Sequence, residues 1–139
     1  MAFVLDASVA LAWCFADEAT EATTGLLETL ADEMAYVPEL WSLEVGNILV
    51  AAERRKRISQ AGVAEFLSLL RELNIRVDKE TSERAFHEIL SLAYSEQLTT
   101  YDAAYLELAM RLGLPLASKD RHLHKAAKKL GVKILSLDP

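Results

Sequence analysis

The chain has a single cysteine, Cys14, so no internal disulfide can staple it. Its neighbours Ala12, Trp13 and Phe15 are apolar, the setting of a buried small hydrophobe rather than of a reactive thiol. Glycine and proline are scarce, five and three residues in 139, which argues against long irregular linkers. No apolar run approaches the roughly 20 residues of a membrane span. The apolar start lacks a basic leading segment and carries Asp6 inside it, so it does not read as a signal peptide. A cytoplasmic protein is the default expectation. An excess of positive charge is missing too. The net charge is −6, unlike that of a non-specific nucleic-acid binder. Acidity is still compatible with a phosphodiester substrate where the acids gather around cations.

What remains is a 52 % hydrophobic, 26 % charged chain, long enough for one domain, 1–139, with a substantial core. Phe3-Val4-Leu5 reads as a short strand that ends in Asp6, and a helical pattern from Ala7 to Phe15 starts at once. Glu18 to Asp32 has helical spacing, Ala35-Tyr36-Val37 is a strand closed by Pro38, and Glu39 to Arg57 is a long helix. Ser59 caps the next helix. Ile75 to Asp78 alternates like a strand, and Thr81 to Glu96 is helical. Thr99 or Thr100 caps a helix that Gly113 stops. Leu114 to Ser118 is a strand, Arg121 to Leu130 a helix, and Val132 to Leu135 a last strand. Five short strands separated by helices predict an α/β fold, a parallel sheet with helices on both faces.

Four acids stand out. Asp6 and Asp120 follow strands and precede helices, where each also suits a helix cap. Asp102 lies in the first turn of its helix, where the helix dipole favours acids. Glu44 shares a face with Leu40, Trp41 and Ile48, and a lone carboxylate on an apolar stripe is costly without a partner. Two unit charges about 5 Å apart repel by roughly 3 kcal/mol at an effective dielectric of 20. Several such pairs would consume much of a domain's stability of about 5–15 kcal/mol. Acids brought together this way must be partly protonated or hold cations. Carboxylates without histidine or cysteine partners favour hard ions such as Mg²⁺ or Mn²⁺.

Val4-Leu5-Asp6-Ala7-Ser8, then Pro38 to Leu49 with Glu44 and Asn47, then Thr100-Tyr101-Asp102-Ala103-Ala104-Tyr105, then Ala117-Ser118-Lys119-Asp120 resemble the successive signatures of the PIN-domain nucleases. Within that family the resemblance is to the VapC-type toxins of prokaryotic toxin–antitoxin pairs. It implies a PIN-like three-layer fold with five parallel strands in the order 3-2-1-4-5. Asp6, Glu44, Asp102 and Asp120 would meet at the carboxyl edge of that sheet. It further implies that they bind one or two Mg²⁺ or Mn²⁺ ions for hydrolysis of RNA phosphodiester bonds, Asp6 and Asp102 directly, Glu44 and Asp120 directly or through water. Ser8 and Ser118 match hydroxyl positions common in the family, with local capping as the alternative. Asn47, one turn past Glu44, is a candidate to orient it, with a solvent-facing helix position as the alternative. A homodimer and a small antitoxin (VapB-like) are implied as partners, and Trp13, Trp41 and Phe66 read either as contact surface for them or as core.

Other features carry less. His122 and His124 point apart on a helix and make a poor metal pair. Arg54 to Arg57 suit a helix C-terminus. Lys119, Arg121, Lys125, Lys128 and Lys129 form a basic run that reads as either an RNA track or a solvated face. Two rival readings stand beside the nuclease. A receiver-like phosphoacceptor would use Asp78 and Lys119 but needs a second acid beside Asp6 and leaves Glu44 unexplained. A PIN-fold binding protein without catalysis would not need all four acids.

Overall fold

The computed structural model describes residues 2–137. Four strands, β1 (Phe3–Leu5), β2 (Ala35–Pro38), β3 (Ile75–Asp78) and β4 (Leu116–Ala117), form one parallel sheet in the order β3-β2-β1-β4. The register pairs Phe3 with Ala35, Val4 with both Tyr36 and Leu116, and Ala35 with Ile75. All three side chains of β1 are buried although successive ones point to opposite faces, so β1 is covered on both sides. β3, at the edge, is more open.

The expected fifth strand is reduced to a single parallel bridge, Leu116 with Ile134. β4 is only two residues long, and its outer edge spends Leu116 on both available bonds, to the Lys133 carbonyl and the Leu135 N–H. The segment therefore occupies the fifth position of the order 3-2-1-4-5 without a ladder of its own.

Eight α-helices complete the described chain: α1 (Ala7–Ala12), α2 (Glu21–Thr29), α3 (Leu40–Arg54), α4 (Gln60–Glu72), α5 (Thr81–Arg84), α6 (Leu90–Glu96), α7 (Thr100–Leu112) and α8 (Arg121–Lys129). A 3₁₀ turn, Ala16–Glu18, precedes α2, and a π turn, Ala85–Ile89, joins α5 to α6. Ser59 and Thr99 cap α4 and α7 through their side-chain oxygens, as their positions predict. Gly113 ends α7 at φ 65°, a left-handed conformation that costs glycine little. α7 packs along β1, β2 and β4, and α1 packs on α3. No helix among the described residues is long and apolar enough to cross a membrane.

The core departs from the sequence reading on α3. The buried stripe of α3 is Trp41, Val45, Leu49 and Ala52, whereas Ile48 is exposed. At about 100° per residue, Glu44 sits on the border of that stripe, not at its centre. Trp41 and Phe66 are core residues. Trp13 is partly buried and donates its indole N–H to the Thr23 carbonyl at 2.7 Å, so these three aromatics offer little contact surface.

Candidate active site

The parallel order reverses between β1 and β4, and the carboxyl ends of those two strands carry Asp6 and the Ser118–Asp120 segment. This is the crevice where open α/β sheets place ligands. Asp6 is buried, and its side chain does not cap α1. Instead its Oδ2 accepts hydrogen bonds from the Ser118 hydroxyl at 2.6 Å and the Ser8 hydroxyl at 2.9 Å. Both serines are locked in turn. Ser118 Oγ accepts the Asp120 N–H at 3.0 Å, and Ser8 Oγ accepts the Lys119 N–H at 3.1 Å. Residues 6 to 8 and 118 to 120 are thereby clasped through two hydroxyls.

Glu44, half-buried, enters from α3 and accepts the Tyr105 hydroxyl on Oε1 at 2.5 Å. Tyr105 is fully buried on α7 and is the functional candidate that the sequence reading passed over. The available signal was its place three residues after Asp102, with a hydroxyl on an otherwise apolar face. Asn47 is exposed and is not among the hydrogen-bond partners of Glu44, so orienting that acid falls to Tyr105. Asp102 stands half-buried on the first turn of α7, behind the Thr99 cap. Asp120 does cap its helix, accepting the Leu123 N–H at 3.1 Å on Oδ1.

The electrostatics tie these acids together. Burial raises the pKa of Asp6, the two serine hydrogen bonds oppose the rise, and the charge of Asp120 adds to it. Burial also raises Glu44; the Tyr105 bond works against this, and the charges of Asp6 and Asp102 reinforce it. Asp102 is raised by burial first and then by Asp120 and Asp6. Each carboxylate feels at least one of the others, and no arginine or lysine figures among the causes of these shifts. Burial first, and then the same field, holds the Tyr105 phenol protonated far above its ordinary range, so it acts as a donor to Glu44.

Among the described residues, no three acid, histidine or cysteine side chains are gathered closely enough to enclose one ion. The donor chemistry nevertheless suits a hard cation, because all four candidates offer carboxylate oxygen. Mg²⁺ commonly keeps several waters and takes only one or two protein carboxylates, so a three-ligand cage is not required. The receiver-like rival fares worse. Its acid, Asp78, lies on the edge strand β3 and is bound to Arg111 at 2.7 Å.

Comparison with known proteins bears on the whole chain. No curated protein matches it. The crystal structure of PAE2754 from Pyrobaculum aerophilum is similar, with a TM-score of 0.69 and 26 % identity over 97 % of this chain and 92 % of that one. The crystal structure of FitAcB from Neisseria gonorrhoeae shares the fold at a TM-score of 0.57 and 19 % identity, over 98 % and 97 % of the two chains. The family model described as PIN domain matches residues 3–129, a span that includes β1 with Asp6, Glu44 on α3, Asp102 on α7 and Asp120 at the start of α8. With that match across nearly the whole chain and the acidic crevice at the sheet's switch point, the chain belongs to the PIN domain family, a family of metal-dependent nucleases.

Proposed function

We propose that the protein is a Mg²⁺- or Mn²⁺-dependent endoribonuclease, and that it is the toxin of a toxin–antitoxin pair, working in the cytoplasm as a homodimer. The observation that carries the nuclease reading is the uncompensated charge. Asp6, Glu44 and Asp102 come from three separate elements, share one field, and all have raised pKa values. Such a group is stable and useful when a divalent cation supplies the missing positive charge.

Asp6 and Asp102 are the proposed direct ligands, with Glu44 and Asp120 binding directly or through water. A bound ion would lower the pKa of an attacking water and neutralise charge that develops on the phosphate. The other groups serve as props. Ser8 and Ser118 fix one oxygen of Asp6, and Tyr105 fixes one oxygen of Glu44. Partners such as each other's protomer or an antitoxin need apolar surface. Leu43, Phe86 and Tyr94 provide it, at 78 %, 84 % and 79 % exposure.

The test is cleavage of single-stranded RNA with Mg²⁺ or Mn²⁺ and with excess chelator. Asp6→Asn and Asp102→Asn should lose at least the roughly 100-fold that removing an outer partner of a metal ligand can cost, while keeping a native circular-dichroism spectrum. Mn²⁺ at about 100 times its Kd should stabilise the wild type by about 2.7 kcal/mol and Asp6→Asn by less. Full activity in both variants, or equal stabilisation, overturns the site.

A further inference from the structure

A polyanionic strand approaching four carboxylates meets repulsion unless the neighbouring surface is positive. One surface beside the acids has that character. A cleft runs between α8 and the turn that joins α6 to α7, with His122, Lys125 and Lys129 along its α8 wall. Its α8 wall opens with His122, two residues past Asp120 at the N-cap of that helix, so the cleft starts beside the acidic crevice. In a chain of net charge −6, α8 contains no acid at all and gathers Arg121, Lys125, Lys128 and Lys129.

The lysines are not equivalent. Lys129 is paired at 3.3 Å with Glu96, which is largely buried, so it serves the fold. Lys128 lies outside the cleft lining. Lys125 lines the cleft, is exposed, and has no acidic partner among the described residues. A second observation adjoins Asp102. Tyr101, directly before Asp102 on the first turn of α7, is 62 % exposed. An aromatic ring left in water beside an acidic site has little packing role, and its face suits stacking on an unpaired base.

We infer that the α8 cleft carries the single-stranded RNA next to the scissile phosphate, with Lys125 contacting its backbone and Tyr101 stacking on a base beside Asp102. This rests on the ribonuclease reading above. It makes Lys125 and Tyr101 determinants of which RNA conformation is accepted, an extended and unpaired one, because a stacked duplex does not free a base for Tyr101.

The experiment measures binding of a fluorescein-labelled single-stranded RNA of mixed sequence to the full chain by anisotropy, in chelator and over a series of salt concentrations. Lys125→Ala should weaken binding and make the slope of log K against log salt shallower by about 0.7, one phosphate contact on a single strand. Tyr101→Ala should weaken binding roughly fivefold or more with the slope unchanged, and Tyr101→Phe should restore it. Lys128→Ala, the same charge change outside the cleft, should leave affinity within twofold of wild type. If wild-type protein cuts RNA while Lys125→Ala and Tyr101→Ala bind like Lys128→Ala, the cleft assignment is wrong and the nuclease reading survives. If wild-type protein neither binds nor cuts RNA, both fall together.

Discussion

Two groups of carboxylates lie at the carboxyl edge of the sheet and around α7, and they are built on opposite terms. On the β3 side, Arg111 bonds Asp78 at 2.7 Å, Glu107 at 2.9 Å and Glu80 at 3.1 Å. Arg84 adds Glu80 at 3.1 Å and Glu88 at 3.3 Å and approaches buried Glu107 at 3.7 Å. Here the hydrogen bond from Arg111 pulls the Asp78 pKa below its ordinary value. At the β1–β4 crevice the acids receive only hydroxyls and backbone N–H groups, and three of the four are pushed the other way. Acids that carry their own arginines belong to the architecture. Acids held in place by neutral donors, with no arginine or lysine of their own, are left in need of a cation, and this is where chemistry is expected.

The largest effect that would sharpen this contrast comes from the compensated group. Removing Arg111 takes from Asp78 and Glu107, both largely buried, their hydrogen-bonded counter-ion and leaves them only the more distant Arg84, 3.7 Å from Glu107. Breaking a buried pair by deleting one partner costs about 3–5 kcal/mol. Arg111→Met should therefore lower the urea midpoint strongly, yet the protein that stays folded should gain as much stability from Mn²⁺ as the wild type does. A variant that unfolds no more easily than wild type would show that the network is a surface decoration. One that loses its response to Mn²⁺ would show that the two groups are not separate.

A smaller effect is expected at Tyr105. Tyr105→Phe keeps the ring in the core and removes only the hydroxyl that Glu44 accepts. Loss of an outer partner commonly costs 10–100-fold in metal affinity or activity, so cleavage should fall by about that much with little change in fold. Unchanged activity would mean that Glu44 needs no orientation, and the crevice would then resemble the β3 side in having redundant support.

The difference between the two groups also decides what was legible in the sequence. Asp6, Glu44, Asp102 and Asp120 could be singled out as candidates because each sits beside a local signal, a strand end, a helix start or an apolar stripe. The caps Ser59, Thr99 and Gly113 and the strand positions follow from equally local rules. Tyr105 could not be assigned, nor Arg111 beyond its i,i+4 pairing with Glu107, because Glu44 and Asp78 are 61 and 33 residues away along the chain. A tyrosine on an apolar helix face looks the same whether or not a carboxylate waits across the gap. The fifth strand was over-read for a related reason. Val132 to Leu135 has a strand's pattern, but a ladder needs a neighbour of matching length, and β4 has two residues. The π turn at Ala85–Ile89 bears no glycine or proline to announce it.

The smallest effect tests the sign of the electrostatics directly. The Asp102 pKa is raised in the folded state, by burial first and by Asp120 and Asp6 next. A raised carboxyl binds its proton more tightly folded than unfolded, so the charged form opposes folding. That penalty is absent below the unfolded pKa and grows as pH rises through the folded one. Without divalent ions at neutral pH, Asp102→Asn should therefore be the more stable protein. Because Asp102 is partly exposed, solvent screening keeps that gain small. It should shrink to nothing as the pH falls below about 4, where wild-type Asp102 is protonated in both states. Asp78→Asn should behave in the opposite sense, costing stability at neutral pH because Arg111 loses a charged partner. If both substitutions destabilise alike, the crevice acids are compensated after all, and the case for a cation there loses its physical ground.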